Sequence, residues 1–366
     1  MSGSKNPAVE VQGLSKSYGS VLAINGVDLS IGAGEYFVLL GPSGGGKTTL
    51  LRVIGGFVKP SAGKVLLHGH DVSALPPDKR PTTMVFQSYA LFPHMSVARN
   101  VGYGLRIKKL PAKAVLERAD AMLELVGLAG YGERMPHELS GGQQQRVQLA
   151  RSLVLDRDIL LLDEPLAALD ANLRKDMCFE LKRLQETIGI TFIHVTHNQE
   201  EAMTVADRIA IIADGEMIEV GTARNIYEHP IKRFTADFVG ENNILDGTLA
   251  AVEKSKATID LGFGQVDVPV DNGTATKGAT ASFSIRSELL ELFPTEGNLP
   301  NGIQALNGTY DEAVYLGLTI SHMVSLPNGE TINVRNISGA NEAQGLERGA
   351  PARVGWPMTA ARLHIS

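Results

Sequence analysis

The stretch Gly41-Pro42-Ser43-Gly44-Gly45-Gly46-Lys47-Thr48 decides the fold, and it directly follows the apolar run Tyr36–Leu40. It matches the spacing G-x-x-x-x-G-K-[ST] between a strand signal and a helix signal. Five consecutive apolar residues read as a buried strand, and residues 48–54 read as a helix that stops at Gly55-Gly56. Glycines let the backbone curl until successive N–H groups point inward, where the positive end of the next helix favours phosphate oxygens. The expectation is a nucleotide-binding loop in which Gly41, Ser43, Gly44, Gly46 and Thr49 line the cradle. Lys47 would reach the β- and γ-phosphates, and the Thr48 hydroxyl would ligate Mg²⁺. A merely flexible glycine loop is the competing reading, and the flanking strand and helix disfavour it.

Further along, the apolar run Ile159–Leu162 leads straight into Asp163-Glu164. Two adjacent carboxylates at the end of a buried strand are costly there unless a cation or a proton is to be handled. Asp163 is the expected Mg²⁺ anchor, direct or through water, and Glu164 is placed to polarise the water that attacks the γ-phosphate. Between loop and carboxylates lies Leu139-Ser140-Gly141-Gly142-Gln143, ahead of a helix with Val147, Ala150 and Val154 on one face. Ser140 is a natural N-cap for that helix.

At this point the chain resembles the ATP-binding cassette family, whose signature is this pentapeptide. The resemblance implies an α/β fold: a P-loop NTPase cassette over residues 1–240, with a helical subdomain at about 90–157. It also supplies roles for further residues. Tyr18 resembles the aromatic residue that stacks on adenine, and Gln87 the glutamine that senses Mg²⁺ and couples to membrane subunits. Asp170, after Leu169, matches the loop at the dimer interface, although Ala168 stands where serine is common. His197 resembles the histidine that contacts the γ-phosphate. In this family two cassettes pack head to tail, so Ser140, Gly141, Gly142 and Gln143 of one copy would close over ATP held on Lys47 of the other. A homodimer with ATP and Mg²⁺ at two shared sites is implied.

The remaining texture fits an α/β domain followed by something else. Pro111 opens an amphipathic helix with Val115, Ala119, Met122, Leu123 and Val126 on one face. A second helix carries the stripe Leu173, Met177, Leu181, Leu184 and Ile188, and Thr191–Val195 and Ile209–Ile212 read as strands. Asp214-Gly215 reads as a hairpin turn into Met217–Val220. After about residue 240 the pattern becomes short β-type runs, among them Ala257–Leu261, Val266–Val270, Ala281–Ile285 and Val314–Thr319. Turn pairs such as Asn272-Gly273 and Asn328-Gly329 separate them, which predicts a small β-barrel. Residues 241–366 resemble the all-β oligonucleotide-fold-like (TOBE-type) accessory domain of maltose, sulfate, ferric and polyamine importers. Phe238–Asn243 sits at the junction much as in the polyamine branch, while Ser287 departs from a proline usual in Ile285-Arg286-Ser287-Glu288.

Composition narrows the function classes. The longest apolar runs contain five residues, against the roughly 18 or more of a spanning helix. The polar start and the single cysteine, Cys178, fit a soluble chain in a reducing compartment. Residues 241–366 hold 8 Lys and Arg against 14 Asp and Glu. That segment therefore lacks the basic surplus a nucleic-acid groove uses, and no nucleic-acid partner is expected. The whole reads as the ATPase subunit of a bacterial importer, peripheral on the cytoplasmic face of the inner membrane. Two separate membrane-spanning permease subunits would form the pathway, and an extracytoplasmic solute-binding protein would select the solute. Polyamine is the solute that the resemblance favours over ferric ion, sulfate or sugar.

Overall fold

Every residue of Tyr36–Leu40, Ile159–Asp163 and Thr191–Thr196 is buried. Strands covered on both faces belong in the middle of a parallel sheet. The computed structural model describes residues 7–87, 91–270, 276–296, 298–339 and 346–365. The chain divides into two compact units, residues 1–224 and 225–366.

The first unit begins with β1 (Val9–Tyr18), β2 (Val21–Ile31), β3 (Tyr36–Leu40), α1 (Lys47–Ile54), β4 (Ala62–Leu67), β5 (His70–Asp71) and β6 (Thr82–Val85). Four helices follow: α2 (Val97–Val101), α3 (Tyr103–Ile107), α4 (Ala112–Leu125) and α5 (Gly141–Leu153). The chain returns through β7 (Ile159–Asp163), α6 (Ala171–Ile188), β8 (Thr191–Thr196), α7 (Gln199–Val205), β9 (Arg208–Ala213) and β10 (Glu216–Thr222).

Its main sheet has the order β10-β9-β3-β8-β7-β6. All pairs are parallel except the hairpin β9–β10. Asp214-Gly215 turns that hairpin with φ of 50° and 78°, the positive angles that match strand twist. A second sheet, β2-β1-β4-β5, is antiparallel. Its strands hide from a search for apolar runs because only one face is buried, through Val9, Val11, Leu14, Ile24 and Val27. These side chains share a core with Leu50, Val53 and Ile54 of α1 and with Phe37 and Leu161 of the main sheet.

Helices α2, α4 and α5 build a separate cluster from Val97, Val101, Val115, Ala119, Leu123, Val147 and Ala150. Val126 belongs to it, and Met122 packs against it only partly buried. In α6 the buried residues are Met177, Cys178, Leu181 and Gln185. The stripe expected from Leu173, Leu184 and Ile188 is only partly covered.

The second unit contributes β11 (Asn242–Val252), β12 (Lys256–Asp260), β13 (Gln265–Pro269), β14 (Thr280–Arg286) and β15 (Glu291–Phe293). It continues with β16 (Ile303–Tyr315), β17 (Thr319–Ser325), β18 (Thr331–Ile337), β19 (Pro351–Pro357) and β20 (Arg362–Ile365). They form two five-stranded antiparallel sheets, β13-β12-β11-β14-β20 and β15-β19-β16-β17-β18. One core, with Val268, Phe283, Val334 and Trp356, serves both.

The strand expected over Val314–Thr319 is instead a strand end and a turn. Tyr315 pairs with Ile320, Leu316 N donates to Thr319 O at 2.9 Å, and Gly317 has φ of 86°. The chain reverses at the glycine, so Leu316 and Leu318 sit exposed at the tip although their composition suits a strand. The turn expected at Asn272-Gly273 lies outside the described residues. Ser287 uses groups that a proline there would lack. Its N–H donates to Glu241 O at 3.0 Å, and its hydroxyl accepts from Asn243 Nδ2 at 3.3 Å.

Candidate functional site

The loop after β3 is packed too closely for side chains at Gly41 and Gly46. A Cβ at Gly41 would lie 1.9 Å from Ile212 O, and one at Gly46 would lie 2.5 Å from Ala23 O. Gly44 and Gly46 have φ of 80° and 99°, a region that glycine enters without steric cost. α1 starts at Lys47 with no side chain capping it, so its first N–H groups stay available at the loop. Lys47 is buried, 4% exposed, and its Nζ donates to Gly41 O at 2.9 Å and Pro42 O at 2.8 Å. Burial lowers its pKa from the usual lysine value, and the charges of Glu164 and Asp163 pull it back upward.

The carboxylates meet the loop across the sheet. Thr48 Oγ1 donates to Asp163 Oδ1 at 2.9 Å, and Arg52 Nη2 lies 3.4 Å from Asp163 Oδ2. The backbone then kinks. Glu164 has φ of 47°, a conformation that costs a non-glycine residue about 1–3 kcal/mol and persists where surrounding structure holds it. Here the Glu164 N–H is held by Val195 O at 3.0 Å. Gln87 Nε2 donates to Glu164 Oε2 at 3.4 Å, and His197 Nδ1 lies 3.5 Å from Glu164 Oε1. The structure thus gathers Lys47, Thr48, Gln87, Asp163, Glu164 and His197 from four places in the chain.

The other expected residues stand at element ends. Ser140 caps α5 in a reciprocal box: its Oγ accepts from Gln143 N at 3.4 Å, and Gln143 Oε1 accepts from Ser140 N at 2.9 Å. Gly141 opens that helix, and a Cβ on Gly142 would press on Leu173 at 3.3 Å. Asp170 caps α6 by accepting from Leu173 N at 3.0 Å. Ser43 and Thr49 belong to the loop and to the first turn of α1. Tyr18 is 49% exposed at the end of β1, opposite Val21. That partner is two residues from Ala23, whose carbonyl crowds Gly46, so the hairpin adjoins the loop.

Three residues at this site escaped the sequence reading. Thr196 Oγ1 donates to Glu201 Oε2 at 2.7 Å and accepts from Asn198 N at 2.9 Å. Arg174 Nε lies 3.4 Å from Glu201 Oε1. Burial raises the Glu201 carboxyl above its usual value, with Thr196 and Arg174 drawing it down. The signal was present: Asn198-x-x-Glu201 has capping-box spacing, and Asn198 Oδ1 does accept from Glu201 N at 3.1 Å. The Glu201 side chain, however, turns inward.

The ABC transporter family matches residues 24–167, and the TOBE domain family matches residues 283–363. The spermidine/putrescine import ATP-binding protein PotA of Mesorhizobium japonicum is 45% identical over 93% of this chain and 93% of its own. The protein of that name in Thermobifida fusca is 43% identical, covering 96% and 91%. Among solved structures, an ATP-binding cassette in a dimeric post-hydrolysis state with ADP and Pi is 33% identical, with a TM-score of 0.53 over 59% of this chain and 99% of that one. The cbiO1 protein of Clostridium perfringens, part of an ABC transporter complex, is 30% identical, with a TM-score of 0.57 over 60% of this chain and 90% of its own. Matched along nearly its whole length at such identities, the chain belongs to the ABC transporter family, as an ATPase that ends in a TOBE domain.

Proposed function

We propose that this chain is the ATP-hydrolysing subunit of a bacterial polyamine importer, working as a homodimer against two membrane-spanning permease subunits. The observation that carries the chemistry is the Glu164 carboxylate between Gln87 and His197, one residue from the Asp163–Thr48 hydrogen bond. The polyamine assignment rests on relatives named for spermidine/putrescine import that span more than nine-tenths of both chains. No helix among the described residues is long and apolar enough to cross a membrane, which suits a peripheral subunit on the cytoplasmic face. The extracytoplasmic solute-binding protein belongs to the same reading. We place the functional boundary between cassette and accessory domain at about residue 240, just before β11.

The oxygen donors Thr48, Asp163 and Gln87 fit Mg²⁺, which prefers hard oxygen ligands and retains waters. When bound it would neutralise charge between the β- and γ-phosphates. Lys47 leaves Gly41 O and Pro42 O for phosphate oxygens, and the N–H groups of Gly44, Gly46 and Thr49 orient the chain of phosphates. Tyr18 stacks on adenine. Glu164 orients and polarises the attacking water while His197 holds the γ-phosphate and the Glu164 carboxylate in register. Ser140 and Gly142 of the second copy close the site, with Asp170 at the seam.

Replacing Glu164 by Gln keeps the side chain's shape and removes the charge. Glu164→Gln is expected to bind Mg²⁺-ATP within about threefold of wild type while turnover falls by about two orders of magnitude or more. Equilibrium binding and phosphate release on the purified chain measure the two. Near-normal hydrolysis would remove Glu164 from the role.

A further inference from the structure

Beside Glu164 and His197 the first unit holds a partly open pocket of about 30 Å³, enough for a water molecule. Glu164, Arg174, Thr196, His197, Asn198 and Glu201 bound it. Its walls join three segments: the end of β7, the start of α6 and the turn from β8 into α7. Arg174 has two separate engagements. Its Nη2 donates to Leu169 O at 2.8 Å, the carbonyl just before Asp170, and its Nε lies 3.4 Å from Glu201 Oε1. That Nε is sealed from solvent and has no hydrogen-bond partner. Glu201, 5% exposed, spends its other oxygen on Thr196 Oγ1, which in turn accepts from Asn198 N. The Thr196 hydroxyl therefore spans the backbone of His197, joining the residue before it to the residue after it and to Glu201.

A buried carboxylate that meets a half-buried guanidinium imperfectly is costly, and such pairs are often replaceable by apolar residues without loss of stability. Stability alone gives little reason to keep this one. Its placement gives another. We propose that Arg174 and Glu201 are positioning residues for hydrolysis. They set His197 against Glu164 and tie that setting to the Leu169-Asp170 loop, so that a shift of the loop is felt at the histidine. A water in the pocket accepts from Arg174 Nε and donates to the carboxylates around it. The pair touches neither nucleotide nor reacting atoms. This inference rests on the hydrolytic reading of Glu164 and His197.

The test uses the full chain. Glu201→Gln retains an acceptor for Thr196 and deletes the charge facing Arg174, while Arg174→Met retains the stem. Each is expected to lower kcat by about 10- to 100-fold with KM for ATP within about threefold. In a His197→Ala background, adding Glu201→Gln is expected to cost less than about twofold more in single-turnover rate, because the pair acts through His197. A purely structural role would multiply the losses and lower Tm alike in both backgrounds. Should the charge variants fail to fold, Thr196→Ser, which keeps the hydroxyl, should hydrolyse ATP near the wild-type rate while the isosteric Thr196→Val loses about tenfold. Wild-type kcat in the variants, or full multiplicative loss beside His197→Ala, would overturn the inference while Glu164→Gln and His197→Ala themselves stay strongly slowed but measurable. Normal turnover in those last two would overturn the site reading and this inference together.

Discussion

Lys47 has hydrogen-bond partners before any phosphate arrives, the carbonyls of Gly41 and Pro42. Binding nucleotide at this residue is an exchange of partners, and the loop is already shaped for it. Gly41 sets that shape. With Ile212 O only 1.9 Å from where its Cβ would stand, Gly41→Ala must push β9 or the loop aside. Equilibrium titration with a fluorescent ATP analogue should find affinity lowered at least about tenfold, since small misplacements at such a site are felt strongly. His194 makes a different residue-scale prediction. It is wholly buried on β8 with Nδ1 3.1 Å from Tyr36 Oη, and burial pushes its pKa from 6.5 down to about 3. The unfolded chain binds a proton there below pH 6.5, while the native protein does so only near pH 3. His194 therefore contributes stability that is present above pH 6.5 and lost as pH falls toward 3, at up to about 1.4 kcal/mol per unit. Urea unfolding between pH 7 and 5 should show a shallower decline in His194→Gln than in wild type.

Elements are held at their ends, and one such anchor lies far along the chain from the helix it serves. Arg80, 1% exposed, donates from Nη1 to Val53 O at 2.8 Å and Ile54 O at 2.7 Å, and from Nε to Leu75 O at 3.0 Å. A cation here satisfies the open carbonyls at the end of α1 and opposes the helix dipole. Arg80→Met would strand those carbonyls in a closed space and should cost about 2–4 kcal/mol, read from the midpoint of denaturant unfolding with an unchanged m-value. Nothing around Arg80 in the sequence marks it as buried, because the helix carbonyls it serves lie 26 and 27 residues back. The contrast with Ser140 is instructive. Its capping role was legible because cap and partner lie three residues apart, within one motif. The same distinction explains the antiparallel sheet, where Glu10, Gln12, Ser15 and Lys16 interrupt the apolar pattern of β1. It also explains Leu316 and Leu318, whose strand-like composition says nothing of the reversal that Gly317 permits. Lys47, Asp163 and Glu164 were readable because phosphate chemistry demands them at fixed spacing. Arg174 and Glu201 were not, since their pairing is a product of the fold.

At the scale of the whole molecule, loop and signature occur once each along the chain, and the box at Ser140 closes on its own helix. A site completed by a second copy predicts an uneven distribution of defects. Mixed dimers of Lys47→Ala chains with Ser140→Arg chains should contain one site with both lesions and one site with neither. Purified mixed dimers are then expected to occlude about one Mg²⁺-ATP, measured by nucleotide retention after rapid desalting. If loop and signature served one site within a chain, both sites would carry a lesion and retention would be lost.

The order of strands in the main sheet has a consequence for how the chain is made. β3 is finished at residue 40, yet its two neighbours in the sheet are β8 and β9, which end at residues 196 and 213. A ribosome adding about 5–20 residues per second needs roughly ten to thirty seconds to deliver them. Throughout that interval Tyr36–Leu40, five residues that end fully buried, has neither flank. The helical cluster, whose members lie between Val97 and Val154, has all its contacts within one stretch and is complete earlier. The nucleotide loop has Ala23 beside Gly46 from the start, but lacks its second wall until Ile212 emerges to pack against Gly41. A nascent chain therefore carries its phosphate motif for most of the cassette's synthesis before the loop is fully walled, and its middle strand stays apolar and unpaired for that time.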